Sequence, residues 1–74
     1  MFQLQNIYFM KKDFTEREAQ EWIKSHGYKL MKKDLINQHY PTEWRYRQQP
    51  PELFKSYYTK VLGNKVHMIF GDKI

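Results

Sequence analysis

The stretch YYTKVLGNKVHMIF, residues 57–70, predicts a β-hairpin. Two runs of strand-forming residues flank Gly63-Asn64, a dipeptide typical of two-residue primed turns. That loop would place Leu62 opposite Lys65 and Val61 opposite Val66. The core-like face of the hairpin would then carry Tyr57, Thr59, Val61, Val66, Met68 and Phe70. The other face, mixed and basic, would carry Tyr58, Lys60, Leu62, Lys65, His67 and Ile69. A sheet with one packed face gives this division.

One amphipathic helix is predicted over residues 15–26. Thr15 and Glu18 have the spacing of a capping box, in which each side chain bonds the backbone amide of the other residue. Gly27 suits the left-handed position at which helices end. The apolar face of this helix follows the i, i+3, i+4, i+7 spacing and consists of Ala19, Trp22, Ile23 and His26. Such a face needs a sheet or another helix to cover it.

The other strands are predicted from shorter patterns. Residues 2–11 predict a central strand covered on both faces, because the run from Ile7 to Met10 is continuously apolar. Residues 28–32 predict a further strand, 33–43 a loop, and 52–56 one helical turn opened by Pro51. The stretch 44–48 alternates: Trp44, Tyr46 and Gln48 lie on one face, Arg45 and Arg47 on the other. The chain is thus predicted to be one α+β domain, residues 1–74, in which one helix packs on a small, mostly antiparallel sheet in the order β-α-β-β-(turn)-β-β.

The positive charge is concentrated in the strand-rich part of the sequence. The chain has 74 residues and a formal net charge of +5. Residues 1–28 are neutral overall, with four basic and four acidic groups, and residues 66–74 are neutral as well. Residues 29–65 hold eight basic and three acidic side chains, so the whole net charge lies there.

Alternation along the strands predicts that this charge faces away from the helix. We call the sheet face opposite the helix the open face. It is predicted to carry Lys29, Arg45, Arg47, Tyr58, Lys60, Lys65 and His67. Basic groups neutralise phosphates and an aromatic ring stacks on a base, so the first functional hypothesis is binding of DNA or RNA. One alternative is a virion-structural or host-directed protein-interaction module that docks an acidic partner, including an inhibitor of a host defence factor; the other is a merely solvated face.

Catalytic and metal-binding constellations are not evident in the sequence. The chain has no cysteine, and its three histidines stand at no metal-ligand spacing. Ser25-His26 has neither a third partner nor an oxyanion site, and His26 is expected to interact with the helix dipole. The sequence therefore predicts a protein that is not an enzyme and uses no cofactor or metal. No membrane span or signal peptide is predicted, since no apolar run is long enough.

A scattered set of residues resembles a known group of domains. The set comprises Glu18-Ala19, Trp22-Ile23, His26-Gly27-Tyr28-Lys29, Tyr46-Arg47-Gln48, Phe54-Lys55-Ser56-Tyr57, Thr59-Lys60 and Met68-Ile69-Phe70-Gly71. It resembles a small domain that recurs in bacteriophage and large DNA virus proteins, often near structural and capsid-maturation genes, without an assigned activity. The resemblance implies a viral setting, inside host cells or in the virion interior. Edge strands of so small a sheet also predict a possible homodimer.

Overall fold

In a computed structural model, the described residues, 1–30 and 41–74, form one α-helix and four strands. Their bounds are β1 Phe2–Met10, α1 Glu16–Ser25, β2 Glu43–Arg47, β3 Phe54–Val61 and β4 Val66–Lys73, with a 3₁₀ turn at Pro51–Leu53. The strands pair antiparallel in the order β2-β1-β4-β3. The predicted α+β class, with one helix on a small antiparallel sheet, is therefore confirmed.

Both ends of α1 have the predicted caps. The Thr15 amide donates to Glu18 Oε1 at 2.8 Å, and the Glu18 amide donates to Thr15 Oγ1 at 3.2 Å. Gly27 has a φ of 76°, and the Tyr28 amide donates back to the Ile23 carbonyl at 3.0 Å. This is the Schellman arrangement, which turns the chain sharply away from the helix axis.

The core lies between α1 and the three strands β2, β1 and β4. Its buried members are Ile7, Phe9, Ala19, Ile23, Tyr46, Val66 and Met68. Phe9 is central to it, since its ring meets those of Phe14, Trp22 and Tyr46 edge-on at centroid distances of 5.1–5.7 Å. Edge-on contacts are favoured between aromatic rings and let large side chains fill a small core. β1 is an interior strand of the sheet, as predicted, but the described helix covers only one of its two faces, the one that carries Ile7 and Phe9.

The strand predicted over 28–32 is not seen in its described part, 28–30. Lys29 instead pairs with a side chain: its amide donates to Gln48 Oε1 at 2.8 Å, and Gln48 Nε2 donates to its carbonyl at 3.0 Å. The buried Gln48 amide thus satisfies one residue of backbone as a neighbouring strand would. The rest of this strand and most of the loop predicted over 33–43 lie outside the described residues.

The predicted register of the β3–β4 hairpin is wrong by one residue. Leu62 pairs with Val66 through a 2.8 Å hydrogen bond, so the loop contains three residues rather than two. Lys65 has a φ of 67°, whereas Gly63 and Asn64 are not in the left-handed region that a primed turn requires. Three-residue loops commonly combine an ordinary turn with one left-handed residue. Lys60 consequently lies opposite Met68 and Val61 opposite His67.

Lys65→Gly tests this loop. Because glycine adopts a positive φ without steric cost, we expect the free energy of unfolding to rise by about 0.5–1 kcal/mol. Lys65→Val should lower it, since a β-branched residue is strained at this φ. Chemical denaturation measures both. Lys65→Asn, which also removes the charge but tolerates the left-handed conformation, controls for the ion pair of Lys65 with Asp13. A loss of stability in Lys65→Gly would support the two-residue turn instead.

A second packing contact lies at the far end of the same hairpin. Gly71 on β4 has no side chain, and the ring of Phe54 fills its place. A Cβ added at Gly71 would come within 2.5 Å of the Phe54 ring. Phe54 is 6% exposed, whereas every other residue of β3 is exposed, so this contact anchors the start of the edge strand.

Gly71→Ala is therefore expected to destabilise the fold by roughly 1–3 kcal/mol through overpacking. Thermal or urea unfolding measures the change. Gly63→Ala is the matched control, because nothing lies within 4 Å of an added Cβ there and φ is not positive. Combining Gly71→Ala with Phe54→Leu should cost less than the sum of the two single changes; strict additivity would contradict the contact.

Candidate functional site

The open face carries a row of side chains that crosses three strands. Tyr8 on β1 lies opposite Arg45 on β2 and opposite His67 on β4. Since Ile7 and Phe9 point into the core, Tyr8 between them points to the opposite side. The predicted placement of Arg45, Arg47 and His67 away from the core is confirmed by these registers, which pair them with β1 residues of the open face.

Tyr8 is enclosed by its two neighbours. Its ring is stacked on the His67 ring, with centroids 4.4 Å apart and planes 14° from parallel. The Arg45 guanidinium carbon lies 4.9 Å from the Tyr8 ring centroid. Arg45 also forms an ion pair with Glu43, with 2.7 Å between Nε and Oε1. The Tyr8 ring therefore lies between the Arg45 guanidinium group and the His67 ring and contacts both.

The next row of the open face contains Arg47 and Asn6, which lie opposite each other, with Ile69 on the other side of Asn6. Arg47 forms no ion pair with any described residue, unlike Arg45. Asn6 is 7% exposed. Its Oδ1 and the Nδ1 of His67 are buried without a hydrogen-bond partner in the described parts of the chain. Such atoms cost about 1–3 kcal/mol each and are infrequent in native proteins.

Two residues predicted for the open face lie on the helix side of β3. Tyr58 stacks on Phe70 at a centroid distance of 5.4 Å and meets the Phe2 ring edge-on at 4.9 Å. Lys60 lies opposite Met68, a core residue. The prediction for Tyr58 and Lys60 is wrong because the three-residue loop moves every β3 side chain to the other face.

Lys65 and Lys29 also lie away from the open face. Lys65 is in the hairpin loop, and its Nζ is 3.5 Å from Asp13 Oδ1, in the turn that leads to α1. Lys29 follows the helix, and its backbone is held by Gln48 on the helix side of β2. The structure therefore brings together three of the seven predicted residues: Arg45, Arg47 and His67.

Tyr8 and Asn6 belong to the site although no sequence pattern predicted them there. Their positions follow from the alternation of β1 once Ile7 and Phe9 are assigned to the core. The continuous apolar run from Ile7 to Met10 hid this alternation, because Tyr8 and Met10 read as apolar. Asn6, a lone polar residue before that run, was the remaining signal.

Other candidate chemistry is accounted for by the fold. His26 caps the C-terminus of α1, where its Nδ1 lies 2.8 Å from the Trp22 carbonyl and its ring stacks on the Trp22 ring. Among residues 1–30 and 41–74, His, Asp and Glu side chains form no group of three that could hold a metal ion. No described helix is long and apolar enough to cross a membrane.

The described fold is a four-stranded antiparallel sheet with one helix on one side and, on the other, an open face whose polar and aromatic side chains on β2, β1 and β4 are half-buried or buried. No protein family, curated protein or solved structure matches this chain.

The Tyr8–His67 stack is expected to show in a double-mutant cycle. Tyr8→Leu and His67→Leu should give a coupling free energy of about 0.5–1.5 kcal/mol in urea unfolding. Tyr8→Leu with Tyr57→Leu is the control, because Tyr57 lies two strands and several residues away. Coupling of the first pair no larger than that of the control would show that the rings do not interact.

Proposed function

We propose that the open face binds single-stranded nucleic acid. The observation that supports this is the row Arg45–Tyr8–His67 with Arg47 beside it: half-buried cations and rings on the face of an antiparallel sheet opposite the helix. Single-stranded nucleic acids are bound by surfaces that combine phosphate-neutralising cations with ring faces on which bases stack. A sheet face offers both at regular spacing.

Arg47 is the main phosphate ligand in this proposal. Its guanidinium group is not used by an acidic side chain of the described residues, and a guanidinium forms two parallel hydrogen bonds to a phosphate. Arg45 contributes less net charge because Glu43 lies 2.7 Å away. The face therefore suits contact with about two phosphates, and its affinity must come partly from rings and hydrogen bonds.

In this proposal the ring that stacks on a base is the half-buried His67 rather than Tyr8. One side of the Tyr8 ring meets His67 and the other meets Arg45, so neither is free for a base. The far side of the His67 ring points toward β3, where its neighbour Val61 is 57% exposed. Asn6 lies beside Arg47, but its Oδ1 is buried, so we assign it no contact with a base.

A viral setting, either in an infected cell or inside the particle, accompanies this proposal through the resemblance described above. A small module that binds single strands would serve there without catalytic groups. The protein alternative, an acidic partner, uses the same arginines but needs no ring face. Binding of nucleic acid would depend on base stacking, whereas docking of an acidic protein would not.

The test is binding of a fluorescent oligonucleotide, measured by anisotropy at increasing salt. Two phosphate contacts predict a slope of about −1.4 for log affinity against log salt on a single strand. Arg47→Gln should weaken binding and reduce the magnitude of the slope by about 0.7. Lys24→Gln is the matched control, since it removes one positive charge from the exposed last turn of α1.

Three outcomes would contradict the proposal. One is the absence of binding at low salt, and another is an equal loss in Lys24→Gln and Arg47→Gln, which would indicate a diffuse charge effect. The third is equally tight binding of polyaspartate of matched charge, which would favour an acidic protein partner. Single-stranded and duplex DNA and RNA of one length should be compared, and the proposal requires that a single strand bind more tightly than a duplex.

A further inference from the structure

The outer edge of β3 is a second exposed surface, separate from the arginines of the open face. β3 is the last strand in the sheet order, so no described residue pairs with its outer side. All of its residues after Phe54 are exposed, including Tyr57 at 47% and Val61 at 57%. An eight-residue edge strand with apolar side chains and open backbone groups is a template for another strand.

The hairpin loop shows which backbone groups of β3 point outward. The Leu62 amide donates to the Val66 carbonyl, so the backbone of Leu62 faces β4. Because the direction alternates along an antiparallel strand, Lys60 and Tyr58 also face β4. The amides and carbonyls of Tyr57, Thr59 and Val61 therefore point away from the sheet.

We propose that a second copy of this chain pairs with that edge, β3 to β3, antiparallel, about a two-fold axis at Thr59. In this register the two copies of Thr59 lie opposite each other, and Tyr57 lies opposite Val61 of the second copy. All three residues have outward backbone groups, so each pair exchanges hydrogen bonds. The sheet then continues through eight strands across the axis, as isologous pairing requires.

Side-chain complementarity selects this register. On the open face it brings together two exposed apolar side chains, Tyr57 and Val61 of the second copy. On the helix side it places Lys60 opposite Tyr58 of the second copy, where an ammonium group can lie over the phenol ring. A two-fold axis at Tyr58 instead would place Lys55 opposite Val61 and Lys60 opposite Ser56, which loses both contacts. A two-fold axis between two residues, for example between Tyr58 and Thr59, is excluded. It would pair residues whose side chains lie on opposite faces of the sheet.

The lysines of β3 bear directly on this pairing, since edge lysines often prevent association. In the proposed register no lysine lies opposite a lysine. Lys55 is drawn toward Asp72, with 3.8 Å between Nζ and Oδ2, and faces the hairpin loop of the second copy beyond the paired residues. Both positive charges are thus placed without direct repulsion.

The proposed interface is small, so dimerisation should be measured at a high protein concentration, roughly 100 µM. Light scattering there should give about twice the 9.2 kDa mass of one chain. Thr59→Lys and Thr59→Glu should each give the mass of one chain, because like charges meet on the axis. A mixture of the two variants should restore the doubled mass. Gln20→Lys on α1 is the control and should remain a dimer. A single-chain mass for the unsubstituted protein, or monomeric Gln20→Lys, would overturn the proposal.

Cysteine cross-linking tests the register, and the chain has no cysteine of its own. Thr59→Cys should form a disulfide-linked dimer on mild oxidation, since opposed Cα atoms about 5.5 Å apart allow a disulfide. Tyr58→Cys should cross-link much more slowly, because its two copies are offset along the strands. Cross-linking of Tyr58→Cys at the same rate or faster would overturn the Thr59-centred register. Neither result depends on nucleic-acid binding.

Discussion

The left-handed backbone of Lys65 sets the register of β3 against β4, and the surfaces of the protein depend on that register. With Lys65 in this conformation the loop holds three residues, and Leu62 pairs with Val66. A loop one residue shorter would exchange the two faces of β3. At the other end of the hairpin, Phe54 occupies the space above Gly71 and holds the strand in the same register. The edge strand is thus fixed at both ends, although the helix covers little of it.

Tyr8 has a comparable role on the open face. It lies on the central strand, so both neighbouring strands place a side chain against its ring. An arginine held over a ring loses less conformational entropy on binding a ligand than a free one. The net charge of the face is small, because Glu43 offsets part of Arg45 and three of the predicted lysines lie elsewhere. We therefore attribute the proposed specificity for single strands to ring contacts more than to charge.

The two proposed surfaces are compatible with each other. The proposed nucleic-acid surface lies on β2, β1 and β4, whereas the proposed dimer contact uses the outer edge of β3. Pairing of two copies would extend one sheet and place two open faces on the same side of it. A strand of nucleic acid long enough to reach both would then bind with higher avidity than either site alone.

Local sequence was sufficient for the helix, its caps, the central strand and the alternation of Trp44, Arg45, Tyr46 and Arg47. Each of these depends on residues within a few positions of one another, where propensity and periodicity act directly. The faces of Tyr58 and Lys60 were decided only in the tertiary structure, because Gly63-Asn64 is compatible with loops of two or three residues. The Arg45–Tyr8–His67 row likewise joins residues from three strands. Long-range register, set by packing of the whole sheet, brought them together, and no local pattern encodes it.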